Sequence, residues 1–189
     1  MRRSPLLALA VVLYGADALL VIAYVLATFV FVLHPSLYRL VDLDAEGSIS
    51  AWFSGSQLVL TSAVFAAAAY FRPCESVGRV FWSMCALAFL FLSADEVASI
   101  HETATRLFRD VEYLPRFAGN HGIWIPIYLV VGMVFFALTA RTWRRIWCAA
   151  NNGVLLFFIG TGMFVFGAVA LEIVGYGELR ELSNRQLYI

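Results

Sequence analysis

The 189 residues are 62% hydrophobic and 15% aromatic against 14% charged, with a mean hydropathy of +0.82, a composition outside the range of water-soluble domains. Thirteen basic and thirteen acidic residues cancel to a formal net charge of zero, so no global basic field exists to recruit nucleic acid, and that class of function is excluded. Five near-continuous apolar runs, at roughly 6–33, 48–71, 80–102, 123–140 and 147–176, each reach the ~20 residues a helix needs to cross a bilayer. The sequence therefore predicts an all-α, polytopic transmembrane bundle of about five helices, forming a single domain over residues 1–189.

Met1-Arg2-Arg3 opens the first run, which continues for roughly twice the length of a signal-peptide apolar region and reads as a transmembrane helix. Tyr14, Asp17, Tyr24 and Thr28 share one arc of it. Asp17 lies ~15 Å in from the helix start at 1.5 Å per residue. An ionised carboxylate at that depth is expensive and marks a functional position by default, with Gln57 or Thr61 at comparable depth to partner it. A protonated Asp17 serving only as a packing hydrogen-bond donor is the alternative.

The connection at roughly 34–47 holds His34, Pro35, Asp42, Asp44 and Glu46. On the second helix Glu46, Ser50, Ser54, Gln57 and Thr61 recur at steps of four, four, three and four, which keeps them within about 80° of arc. Hydroxyls on such a stripe commonly do no more than let helices approach and hydrogen-bond. The stretches Arg72–Arg79 and Arg141–Arg145 read as tight loops. Together with Arg2 and Arg3 they fall in every second connection and so on one side of the bilayer, which predicts a cytoplasmic N-terminus and a bacterial inner membrane. Trp52 and Trp124 would mark the outer interface, and Trp82, Trp143 and Trp147 the inner one. Cys74, Cys85 and Cys148 are not spaced for an extracellular disulfide.

The third helix ends on Ser93-Ala94-Asp95-Glu96-Val97-Ala98-Ser99-Ile100-His101-Glu102. Asp95 and Glu102 lie only about 20° apart on an ideal helix, whereas Glu96 and His101 flank them about 140° apart. An unbroken helix cannot aim all four at one atom, so either neighbouring helices supply ligands or the helix unwinds here. Glu172, on the fifth helix with Thr161, Val165, Ala168 and Gly175, reaches similar depth, and Glu46 opens the second helix on the same side. Carboxylates so close repel unless protons, arginines or a cation neutralise them. Oxygen donors with an imidazole suit Mn²⁺, Fe²⁺, Mg²⁺ or Ca²⁺ and leave Zn²⁺ open. His101-Glu102 does not begin a zincin motif, because Thr105 stands where the second histidine belongs. The bland reading ends the third helix near residue 98 and leaves His101 and Glu102 in the headgroup layer beside Arg106 and Arg109. His34 and His121 read as interfacial loop residues.

The pattern Ser93-x-Asp95-Glu96-x4-His101-Glu102, with Glu46 before the second helix and Leu171-Glu172 in the fifth, resembles a group of uncharacterised bacterial multipass membrane proteins. The resemblance covers most of the chain. It implies a shared topology and a shared outer-leaflet site but no activity, and members of the group tend to continue into a further acidic helix after the fifth.

Three functional expectations follow. The first is a membrane-embedded, metal-dependent enzyme acting on a lipid or another membrane-accessible substrate, with Asp95, Glu102, Glu172 and Glu46 as ligands to a divalent ion and Glu96 and His101 as catalytic acid or base. The second is a proton- or cation-coupled transporter or channel whose path runs through Asp17, Gln57 and Thr61. The third is a small accessory subunit of a larger membrane complex, or a homo-oligomer. No nucleotide-binding loop, haem pair, iron–sulfur motif or nucleophile elbow chooses among them.

Overall fold

The computed structural model describes residues 5–43, 45–71, 76–111, 113, 122–148, 155 and 159–167. Among them the chain forms α1 (Pro5–Phe29), α2 (Pro35–Val41), α3 (Ile49–Phe71), α4 (Ser76–Ala98), α5 (Ile100–Leu107) and α6 (Trp124–Cys148), and residues 159–167 of the fifth apolar run are helical as well. The architecture is an all-α bundle. Four helical segments, Leu7–Phe29, Ile49–Phe71, Gly78–Ala98 and Trp124–Arg145, are long and apolar enough to cross a membrane, so most of their outward-facing leucines, valines and phenylalanines have lipid as their natural solvent.

α3 and α4 are the principal packed pair. The buried residues of α3, Gly55, Leu58, Ser62, Phe65 and Ala69, recur at steps of three and four, the spacing of a helix–helix seam. Two hydroxyls lock the seam through backbone carbonyls: Ser62 Oγ donates to Ala86 O at 2.7 Å and Ser93 Oγ to Gly55 O at 2.8 Å. Glycine at 55 is required by proximity, since a Cβ there would stand 2.7 Å from Val97 Cγ2. Toward the Arg79 end, Phe65 stacks on Trp82 with ring centroids 5.6 Å apart, and the Trp143 ring of α6 meets Phe81 edge-on at 4.9 Å. These aromatic contacts join α6 to the α3–α4 pair.

α1 attaches by fewer bonds. Thr28 Oγ1 and Tyr38 Oη lie 3.3 Å apart, and the Tyr24 and Tyr38 rings pack at 6.5 Å, which folds α2 back on the end of α1. His34 caps α2, its Nδ1 accepting from Ser36 N at 3.4 Å, with Pro35 at the first helical position where its missing N–H is no loss. Ser48 starts α3 by accepting from Ala51 N at 3.1 Å, a side-chain cap on an otherwise unpaired donor.

The structure corrects several sequence boundaries. The first helix stops at Phe29 rather than 33, and α2 occupies half of the expected 34–47 loop. Arg141–Arg145 is not a tight loop but the last part of α6, which runs to Cys148. Arginine is a good helix former, so a cluster of arginines after an apolar run marks the membrane edge without ending the helix. The expected third helix at 80–102 is broken at Ser99 into α4 and α5. Cys85 is a buried thiol in the α4 core. The Arg72–Glu75 segment with Cys74, together with His121, Glu172 and the rest of 168–189, lies outside the described residues.

Candidate metal centre at the α4–α5 break

Ser99 adopts φ 52° and ψ 45°, and it is the only described non-glycine residue with positive φ. This left-handed conformation disfavours an L-residue by about 1–2 kcal/mol, and Ser99 makes no side-chain cap on α5. The compensation comes from Asp95. Its Oδ1 accepts the backbone N–H of His101 at 2.7 Å, and its Oδ2 lies 3.2 Å from His101 Nδ1. The first bond satisfies one of the donors left unpaired at the start of α5 and places a carboxylate at the positive end of that helix. In an unbroken helix, residues six apart point about 120° away from each other. The break is therefore what brings His101 back to Asp95, and it removes the shared Asp95–Glu102 face expected of a continuous helix.

Asp95 is 7% exposed, and its surroundings are built by other elements. Trp124, at the start of α6, meets the His101 ring at 5.3 Å, and the Tyr128 ring packs on Trp124 at 5.3 Å. The buried Tyr128 hydroxyl is an electrostatic neighbour of Asp95. Glu96 has Ser54 of α3 as its hydrogen-bonding neighbour, and His101 and Asp95 are near enough to act on it electrostatically. Arg106 turns to Thr103, donating to Oγ1 at 2.9 Å.

The same fold brings Glu46, His101 and Glu102 together, with one ligand atom from each all lying within 4.8 Å of one another. Glu46 comes from the turn before α3 beside Gly47, whose φ of 71° suits glycine, and the two others come from the first turn of α5. Donors about 2.1 Å from a common ion stand about 3–3.4 Å apart in octahedral or tetrahedral geometry. Glu46 is exposed and has the rotamer freedom to close the remaining distance. Of the residues expected from the sequence to hold a metal, Glu46 and Glu102 belong to this group, His101 joins them in place of Asp95, and Glu172 falls outside the described residues.

The other polar position, Asp17, meets α3. Gln57 Nε2 donates to both Asp17 oxygens at 3.1 and 3.2 Å, while Thr61 Oγ1 turns back to Gln57 O at 2.9 Å. Gln57→Leu leaves the carboxylate without these donors at membrane depth, and we expect a loss of about 1–3 kcal/mol that Asp17→Asn in the same chain partly restores, read by thermal unfolding in detergent. The Ser99 backbone gives a second check. Ser99→Gly, free of the left-handed penalty, is expected to hold or raise stability by up to about 1 kcal/mol, and Ser99→Val to lower it by about 1–3 kcal/mol in the same assay.

Residues 6–186 match the family model described as a domain of unknown function, DUF8692. The chain belongs to that family. No curated protein and no solved structure matches it. Ser99, Trp124 and Tyr128 are the site residues that sequence reasoning missed. Serine is not a helix breaker by type, and Trp124 read only as an interfacial anchor. Two signals were available: a continuous helix cannot aim Asp95, Glu96, His101 and Glu102 together, and the alternative reading ends the third helix near residue 98, where α4 does end.

Proposed function

We propose that this protein is a membrane-embedded, metal-dependent enzyme whose site at the α4–α5 break acts on a lipid or another membrane-accessible substrate. The observation that carries the reading is the convergence of Glu46, His101 and Glu102 within 4.8 Å at one end of the bundle. Two carboxylates and an imidazole are a donor set for a hard or borderline divalent ion, and three protein ligands leave positions for water and substrate. A bound ion would supply a polarised water or a Lewis acid toward a carbonyl or phosphoryl oxygen. Glu96, with Ser54 as its hydrogen-bonding neighbour, lies outside the ligand group and takes the acid–base role. Arg79, Arg141, Arg144 and Arg145, in the connections away from the site, support a reading in which that end is cytoplasmic and the site faces the outer leaflet of a bacterial inner membrane.

The test is metal analysis of protein purified in lipid nanodiscs, paired with turnover of a panel of labelled phospholipids and isoprenoid phosphates. About one equivalent of a divalent ion and turnover abolished by chelation are expected. Protein without stoichiometric metal, inactive whichever ion is added, overturns the reading.

The bidentate Gln57–Asp17 contact favours a second reading, a proton- or cation-coupled transporter or channel whose path includes Asp17, Gln57 and Thr61. Liposomes containing the protein would then show proton or cation flux that Asp17→Asn removes, and flux indifferent to that change rules the path out.

A further inference from the structure

We propose that Asp95 is not a ligand but the positioning residue of the site: its carboxylate holds His101 in the Nδ1–H tautomer and leaves the Nε2 lone pair as the one that takes the metal. A neutral imidazole carries one N–H and one lone pair, and the partner of one nitrogen decides the role of the other. Here the partner is fixed at both ends. Oδ1 is committed to the His101 backbone N–H at 2.7 Å, so Oδ2, 3.2 Å from Nδ1, cannot swing toward Glu46 and Glu102 without uncapping α5. With Oδ1 already accepting from the His101 N–H, we take Oδ2 to accept as well, which puts the proton of this contact on Nδ1.

The surroundings hold the arrangement in place. Asp95 is buried, the left-handed Ser99 breaks the helix so that residue 101 returns to residue 95, and the edge-on ring of Trp124 restricts rotation of the imidazole. Carboxylate–histidine–metal relays of this form orient the ring and raise the basicity of the ligating nitrogen, and losing the carboxylate typically weakens metal binding 10–100-fold rather than abolishing it. The metal half of this inference rests on the function proposed above, whereas the tautomer half stands without it.

The experiment uses the full chain, labelled with ¹⁵N-histidine in a His34→Gln, His121→Gln background, so that His101 gives the only imidazole signals, recorded well above the pH at which imidazole protonates. With no metal added, Nδ1 is expected to carry the proton and Nε2 to show the shift of an unprotonated nitrogen. Asp95→Asn is expected to shift the population toward Nε2–H. With Zn²⁺ alone, and separately Mn²⁺ alone, Asp95→Asn should weaken binding about 10–100-fold, against complete loss in His101→Ala. A wild-type Nε2–H tautomer overturns the proposal. So does Asp95→Asn with unchanged tautomer and affinity, or Asp95→Asn that abolishes binding as His101→Ala does, which would make Asp95 a ligand. The expected tautomer together with no binding of either ion supports the positioning role and removes the metal reading alone.

Discussion

Glu102→Ala and His101→Ala are each expected to lower affinity for a divalent ion by more than about 100-fold, beyond the range that losing a positioning carboxylate produces, and to abolish turnover with it. Three protein donors surround the candidate ion position. Removing one leaves two, too few to repay the dehydration of a hard cation. Both residues are half-buried and sit in the first turn of α5, outside the α3–α4 seam, so the variants should keep their helical circular dichroism and their elution as folded protein. Glu46→Ala should behave in the same way, because Glu46 is the one donor of the group from outside α5 and its side chain is exposed. Isothermal titration with Mn²⁺ and Zn²⁺ measures the loss directly. Wild-type affinity in both Glu46→Ala and Glu102→Ala would remove the site.

Gly55→Leu is expected to give the largest loss of stability. An added Cβ already meets Val97 Cγ2 at 2.7 Å and lies 3.6 Å from Ser93 O, and the rest of a leucine side chain has to enter the same gap. α3 and α4 must part, and the Ser93–Gly55 hydrogen bond at 2.8 Å parts with them. Overpacking of this kind costs about 1–3 kcal/mol, and the orphaned buried hydroxyl adds about 1–3 kcal/mol. Gly55→Ala should cost less, and Val97→Ala should relieve it, since Val97 is exposed on its outer side and removal of Cγ2 opens the space. Urea unfolding in mixed micelles reads the series. Ser93 and Glu96 share α4 with Asp95, so Gly55→Leu should also weaken metal binding although it touches no proposed ligand.

The sequence by itself determined the solvent and the class of this protein. Runs of apolar residues about 20 long can satisfy their backbone only as helices in lipid, and the four long apolar helices lie within or close to those runs, whereas α2 falls between two of them. It also determined where charge gathers, because Asp95, Glu96, His101 and Glu102 are near neighbours in the chain whatever its fold. The tertiary structure alone decided which of them act together. A continuous helix pairs Asp95 with Glu102. The observed chain turns at Ser99, where Asp95 captures the His101 N–H, and so pairs Asp95 with His101 and releases Glu102 toward Glu46. That outcome depends on side-chain hydrogen bonds outweighing a local backbone preference and on Trp124 arriving from more than twenty residues away. Neither is encoded in helical periodicity, which registers spacing along one helix and cannot register a break stabilised from outside it.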